Sequence, residues 1–436
     1  MNQNTQELIS ALSEQGTYRN SREIVLGSVH YSMREVLLVA PLLSGLNVYL
    51  VGGTGEGKTQ LANELAGFFG NQYCYAEGRP DFELAELLKQ LNLEKLRSTD
   101  AKSDRELVEL TENVRKALYY VDELNRCPPI VQNYFFNFFD GKLVHGGKIY
   151  RLGKDGYAVG YASGNLGDGA YVGVQNSDRA LLDRMHLIVK LDHPDFITTE
   201  EDDWEIFGSA KNPRAKLAES GVDLTQKIIS LHHEFGKREV PLILRALGLF
   251  FHKGLDYLEN TAKHSKRAVD IAWPNVPGIR ADTDENKVMP ISKRAVLATI
   301  GLTEALQMIA EAKGVEEQDT VELYLDALRL TVPYSGILAS PFVQMEKGGD
   351  AYAAFEALMD GWRREIREKK TDLETALAFA AYGEREETLL DKISSPGQMG
   401  RWAPVRRGLE YLAAHPSLER QTLAGLREKY KRVEHQ

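Results

Sequence analysis

The run Gly52-Gly53-Thr54-Gly55-Glu56-Gly57-Lys58-Thr59 constrains this chain more than any other segment. It fits G-x-x-x-x-G-K-[S/T], a loop whose glycines let successive backbone N–H groups turn inward around phosphate oxygens. Such a loop needs a strand before it and a helix after it, because the helix offers its positive end to the same anion. Both flanks are legible. Asn47-Val48-Tyr49-Leu50-Val51 is short, apolar and β-prone, and it stops at Gly52. Lys58 to Phe69 places Leu61, Leu65, Ala66 and Phe69 on one helical face ahead of Gly70. Lys58 would then neutralise β/γ-phosphate charge and the Thr59 hydroxyl would ligate Mg²⁺, with Gln60 next on the helix among the nucleotide contacts.

Strand and helix go on alternating after the loop. Tyr73 to Ala76, Ala117 to Val121, Tyr157 to Ala162 and His186 to Leu191 read as buried strands. Helices are expected over Ser32 to Leu46, where Pro41 is an irregularity, and over Phe82 to Leu96 and Asp104 to Lys116. The pattern predicts an α/β fold, a parallel sheet sandwiched by helices. Beyond Asp202 the strand signal disappears, and helical periodicity runs from Asp223 to the end, broken by a Pro/Gly/Asp-rich stretch from Trp273 to Pro290. The expected organisation is a polar lead over 1–21, a nucleotide-binding domain over 22–200, a helical lid over 201–345 with an inserted loop near 262–290, and a helical extension over 346–436.

Length and composition exclude several classes. A chain of 436 residues exceeds one ordinary core, and its 43% hydrophobic and 27% charged residues are those of an ordered globular protein. With a net charge of −10 and no dense run of Lys and Arg, a dedicated nucleic-acid surface is disfavoured. Cys74 and Cys127, the two cysteines, have no partner at metal-ligand spacing and suit a reducing compartment. The start is polar, without the apolar stretch of a signal peptide, and no uninterrupted apolar run reaches membrane-spanning length, so a cytoplasmic protein is expected. His232-His233-Glu234 lacks a zinc spacing and is expected at the surface or in the lid.

The strand Ala117 to Val121 ends in Asp122-Glu123, where neighbouring strands of an open parallel sheet present ligands. Asp122 is placed to hold the Mg²⁺ shell. Glu123, one step on, is placed to polarise the attacking water that a hydrolysing site requires.

On these residues the chain resembles an AAA+ ATPase, and Val121-Asp122-Glu123-Leu124-Asn125-Arg126-Cys127-Pro128-Pro129 resembles the second acidic motif of the MoxR branch. Asp140 to Leu143 through Ile149 to Leu152 is similar to that branch's helix end and pre-sensor hairpin, with Gly146-Gly147 as the turn. The resemblance implies a sensor-one role for Asn165 and, in Ala180-Leu181-Leu182-Asp183-Arg184, an arginine finger at Arg184 that reaches a neighbouring subunit's γ-phosphate, with Arg179 as the fallback. It further implies a sensor-two role for Arg294, beside Lys293, and base contacts from Val25 and Leu26 in Ile24-Val25-Leu26-Gly27. ATP and Mg²⁺, a homo-oligomeric hexameric ring and a protein client carrying a von Willebrand factor A domain follow from the same resemblance. The chain departs from the branch in lacking a proline near the loop's start and in reading Ser163-Gly164-Asn165-Leu166-Gly167 at sensor one. Two alternatives stand beside it. One is a nucleic-acid motor or restriction-type subunit gripping phosphates with Lys148 and Arg151, and the other an ATP-holding scaffold, which would have no use for Glu123, Asn165 and Arg184 together.

Overall fold

The protein is described here from a computed structural model, over residues 3–14, 18–81, 87–91, 108–145, 148–165, 179–209, 223–281, 283–315 and 317–416. It forms two compact units, Met1–Arg238 with Gly301–Gln318, and Glu239–Ile300 with Asp319–Gln436.

The first unit opens with helix α1 (Gln3–Glu14) and a hairpin of β1 (Glu23–Leu26) and β2 (Val29–Ser32). The helix expected up to Leu46 begins as a π turn, Glu35–Val39, and continues as α2 (Ala40–Ser44), with Pro41 in its first turn and Gly45 in the left-handed region as its cap. Next come β3 (Val48–Val51), α3 (Lys58–Phe69), β4 (Tyr73–Glu77), β5 (Lys89–Leu91), β6 (Val108–Leu110) and β7 (Leu118–Asp122). Then follow α4 (Pro129–Phe139), β8 (Lys142–His145), β9 (Lys148–Arg151), β10 (Val159–Gly164), α5 (Arg179–Leu182), β11 (Leu187–Lys190), α6 (Glu200–Ser209) and α7 (Thr225–Phe235).

Five of these strands form one parallel sheet in the order β11-β3-β10-β7-β4. β3 is buried at every residue, as a central strand covered on both faces should be. Asn47 pins its amino end: the side-chain amide donates to Phe139 O at 2.7 Å and Arg184 O at 3.1 Å, and its Oδ1 accepts from Gly160 N at 2.9 Å. The opposite, carboxyl end opens into the glycine-rich loop. Behind it α3 turns Glu64 inward, where this carboxylate pairs with Arg34 and accepts from Tyr18 N at 2.6 Å. Arg34 donates onward to Ser13 O and Leu12 O, so one buried ion pair ties the start of the chain to the helix behind the loop.

Two sequence expectations are corrected in part. The helix expected over 82–96 is helical at Leu87 and Leu88 and then gives way to β5, and the helix expected over 104–116 is, where described, β6, antiparallel to β5, followed by a 3₁₀ turn, Glu112–Arg115; the remainder lies outside the described residues. Thr111 is the reason a helix does not run through: its hydroxyl bonds Leu87 O and accepts from Asn113 N, capping a new turn instead of continuing an old one. The histidine pair sits on α7, within the first unit. His232 is half-buried, with Nδ1 at 2.7 Å from Leu43 O and its ring edge-on to Tyr157. Burial lowers the pKa of His232, while His233 and Glu234 are exposed, as expected of a surface position.

The second unit is helical, with α8 (Leu242–Lys253), the later part of the chain in α10 (Thr320–Thr331), α11 (Ala351–Ala381), α12 (Glu387–Ile393) and α13 (Ala403–Ala414), and the first turns of α9 (Lys293–Ala312). Phe251, Tyr324, Phe355 and Trp362 meet in its core. The helix α9 is long and apolar enough by composition to cross a membrane, but 72% of its apolar window is buried inside the protein. The irregular stretch before it is fastened by charge: Asp284 pairs with Arg401 and accepts from Trp362 Nε1 at 2.7 Å, and the fully buried Lys266 donates to Val288 O at 2.9 Å. Burial pushes the Lys266 ammonium down to about 8 against the opposing pull of Asp284. A lysine whose folded pKa lies below its ordinary 10.5 opposes folding while charged, in full below pH 8 and progressively less as pH rises. Thermal denaturation should therefore show the parent gaining stability relative to Lys266→Met between pH 8 and 10.5; parallel curves would disprove it.

Candidate functional site

The sheet order fixes which strand ends meet. β3 has β11 on one side and β10 on the other, and β7 lies beyond β10, so Gly52, Asp192, Asn165 and the pair Asp122-Glu123 line one edge of the sheet. Open parallel sheets hold ligands along this carboxyl edge.

Gly52, Gly55 and Gly57 take φ of +144°, +97° and +75°, which side chains other than glycine resist. A Cβ at Gly55 would meet nothing within 4 Å, so the requirement there is conformational, and space is left over the loop. At Gly57 it would press on the Tyr18 ring at 3.1 Å. α3 starts directly at Lys58, aiming its free N–H groups into the loop. The Lys58 ammonium donates to Gly52 O at 2.9 Å, Gly53 O at 2.5 Å and Asn165 Oδ1 at 3.4 Å. It is held across the loop's mouth before any ligand arrives. Burial lowers its pKa, and the carboxylates of Glu123, Asp192, Glu56 and Asp122 oppose the shift. The same crowding acts on Glu56, whose pKa is raised by burial and then by Asp192. Thr59 is exposed in the first turn of α3, and Gln60 is half-buried after it.

Asp122 and Glu123 form a corner at the end of β7. Ser163 donates its hydroxyl hydrogen to Asp122 Oδ1 and accepts from Glu123 N at 3.0 Å, and Tyr75 OH donates to Asp122 Oδ2 at 3.2 Å. Glu123 itself has φ +51°, an uncommon conformation for glutamate that turns the chain sharply out of the strand. Its carboxylate is held by Arg126 Nε at 3.1 Å. Gly78 closes this corner: its N–H donates to Asp122 O at 2.7 Å, and a Cβ there would lie 2.3 Å from Glu123 O. Asn125 donates to Asn165 O, fixing the strand end that carries the Asn165 side chain to Lys58.

The remaining expected residues stand apart from this cluster. Arg184 lies at the amino end of the sheet, its Nε on Asp140 Oδ2 at 3.2 Å and its Nη1 on Ala180 O at 2.7 Å. Its backbone carbonyl shares Asn47 with the start of β3, so the length of that strand, about 13 Å at roughly 3.3 Å per residue, separates it from its own loop. Arg179 begins α5, and its side chain lies outside the described residues. Val25 is 52% exposed and Leu26 buried on β1. Arg294 lies in the first turn of α9, which belongs to the second unit at that point. Gly146-Gly147, the expected hairpin turn, lie outside the described residues, while β8 and β9 pair antiparallel on either side.

The groups present fit a polyphosphate with a divalent cation: a cradle of positive-φ glycines with room over Gly55, one ammonium fixed at its mouth, and a hydroxyl and a carboxylate at Thr59 and Asp122. A parallel sheet of this order carrying this loop is a P-loop nucleotide-binding domain. The model of the AAA domain (dynein-related subfamily) matches residues 47–185, in agreement with the AAA+ type of α/β fold seen in the sheet and loop. The structure resembles a crystal structure of a candidate ATPase from Cytophaga hutchinsonii, with a TM-score of 0.52 and 15% identity over 77% of this chain and 90% of that one. At that identity the likeness bears on the fold alone. No curated protein matches the chain.

Sequence reading passed over Ser163, Arg126, Gly78, Tyr18 and Asp192. Only Asp192 had a usable signal, an acid directly after a buried strand, the same cue that marked Asp122. Ser163 supports both residues of the acidic corner, so Ser163→Ala should lower stability by about 1–3 kcal/mol, measured by urea denaturation. An unchanged midpoint would show that the corner holds without it.

Proposed function

We propose that the protein is an ATP-hydrolysing AAA+ motor of MoxR type that works as a homo-oligomeric, hexameric ring and remodels a protein client, with a von Willebrand factor A domain protein as the client class. In this reading residues 22–200 are the nucleotide-binding domain, 201–345 the lid and 346–436 an extension, and the protein is cytoplasmic. The observation that carries it is the position of Arg184. It lies a strand's length from its own loop and pairs with Asp140 at the amino end of the sheet, which supports a role at a neighbour's nucleotide over a role at its own.

The loop from Gly52 to Thr59, with Gln60, binds the ATP phosphates, and Val25 and Leu26 contact the base. Lys58 stays on Gly52 O and Gly53 O and turns its third N–H from Asn165 Oδ1 to the β/γ-oxygens. Mg²⁺, when bound, neutralises phosphate charge and would be held by Thr59 and Asp122. Glu123 accepts a proton from the attacking water, Asn165 orients that water, Arg184 stabilises charge on the neighbour's transferring phosphoryl group, and Arg294 acts as sensor two. The Arg126 contact engages Glu123 through Oε2 and so orients the carboxylate.

A second reading, a nucleic-acid motor, is favoured by the exposed Lys148 and Arg151 of the β8–β9 hairpin, but the same hairpin exposes Ile149 at 72% and Val144 at 52%. Apolar side chains at that density suit a polypeptide client better than a phosphate backbone. ATPase stimulation by DNA or RNA is therefore expected to be small at physiological salt. A several-fold stimulation abolished by changing Lys148 and Arg151 would reverse the ranking.

Lys58→Ala should abolish nucleotide binding, whereas Glu123→Gln should bind ATP, gain thermal stability from it and leave it unhydrolysed. Arg184→Ala should bind ATP yet lose turnover by roughly 10³-fold or more. Mixing the inactive Lys58→Ala and Arg184→Ala proteins should restore measurable ATPase activity, because an intact loop then faces an intact arginine. Subunits shown to exchange, yet inactive at every mixing ratio, would refute the trans-acting role.

A further inference from the structure

The peptide joining Gly52 to Gly53 is gripped from both edges. Its carbonyl, Gly52 O, accepts from Lys58 Nζ at 2.9 Å, and its N–H, on Gly53, donates to Asp192 Oδ2 at 3.0 Å. In a trans peptide the C=O and N–H point in opposite directions, so fixing one fixes the other. The carboxylate, the peptide and the ammonium therefore form one line across the root of the loop. Nothing else of comparable strength sets this peptide's orientation from within: glycine stands on both sides, and Gly52 sits at φ +144°, where a peptide between glycines turns over at little steric cost. Turned over, it would face Lys58 with an N–H, a donor opposite a donor. The space beside Gly52 is shaped to the same carboxylate, since a Cβ there would lie 3.3 Å from Asp192 Oδ1, and Lys190 Nζ stands 3.9 Å from that oxygen.

We propose that Asp192 is a positioning residue of the phosphate loop: its carboxylate holds the Gly52–Gly53 peptide in the orientation that presents a carbonyl to Lys58 and so aims the ammonium at the nucleotide phosphates. The proposal rests on the nucleotide-binding reading of the loop and extends it to a residue three strands across the sheet from the acidic corner. Asp192 lies two residues beyond the end of β11, so the edge strand supplies the restraint that the loop's own glycines lack. Asp192 also lies close enough to Lys58 to favour its charged form.

The test is titration of the full-length protein with a fluorescent ADP in Mg²⁺, beside thermal denaturation without nucleotide and steady-state ATPase kinetics. Asp192→Ala should weaken ADP binding about tenfold or more, the loss expected for a hydrogen bond to a charged group. Asp192→Asn keeps an acceptor for Gly53 N and should recover most of that affinity, which a role in charge alone would not predict, while Asp192→Leu, which keeps the bulk but has no acceptor, should stay weak, which a role in packing alone would not predict. The effect should fall on affinity and KM more than on kcat, because Glu123, Asn165 and Arg184 are untouched. Should Asp192→Ala fail to fold, Asp192→Ser, polar but too short to reach the Gly53 amide, carries the same expectation. Parental affinity in the alanine or serine variant, with Lys58→Ala unable to bind, overturns the assignment alone. A parent protein that binds no nucleotide overturns the phosphate-site reading and this assignment with it.

Discussion

The structure turns on a lysine ammonium resting on the backbone carbonyls of its own loop. Lys58 is buried with carboxylates on several sides, and it could not remain charged there without Gly52 O, Gly53 O and those acids around it. Much of the first unit works to keep that arrangement in place. β3 delivers the loop from a fully buried position, α3 starts at the lysine, and the Arg34–Glu64 pair anchors the back of α3 to the start of the chain. The sheet order then brings Asn165 and the acidic corner to the same edge.

An acidic rim around a site for an anion has a physical meaning. Glu56, Asp122, Glu123 and Asp192 all act on Lys58, and a nucleotide polyphosphate entering among them meets like charge that one ammonium does not offset. Such a site favours the phosphate chain together with a divalent cation over the bare anion. The acids thereby sharpen the dependence of binding on the metal complex, and they hold the lysine in readiness when the loop carries nothing.

The sequence was most legible where local chemistry and tertiary structure agree. The loop, β3 and the limits of α3 follow from glycine placement and apolar periodicity, and Asp122 follows from its place at a strand end. The helical expectation failed at residues 89–91 and 108–116 because Thr111 caps a new turn there and β5 and β6 pair across a distance in sequence that periodicity cannot detect. Ser163, Gly78 and Arg126 were illegible for another reason. Ser163 and Gly78 acquire their roles from a neighbour on a different element, so no short window of sequence contains both partners, and Arg126, only three residues from Glu123, meets it because of the left-handed turn at Glu123.

Glu123 illustrates a conflict between conformation and chemistry. At φ +51° a glycine or asparagine would sit with less strain, and left-handed backbone costs an ordinary side chain roughly 1–2 kcal/mol. A sequence optimised for stability alone would not place glutamate at that turn. The backbone bend throws the side chain off the end of β7, away from the sheet's packing and toward the edge where Lys58 lies, a direction unavailable to a residue continuing the strand. The protein is thus less stable at this residue than the fold permits, and laboratory selection for thermostability should drift toward glycine or asparagine here, discarding the carboxylate as it does so.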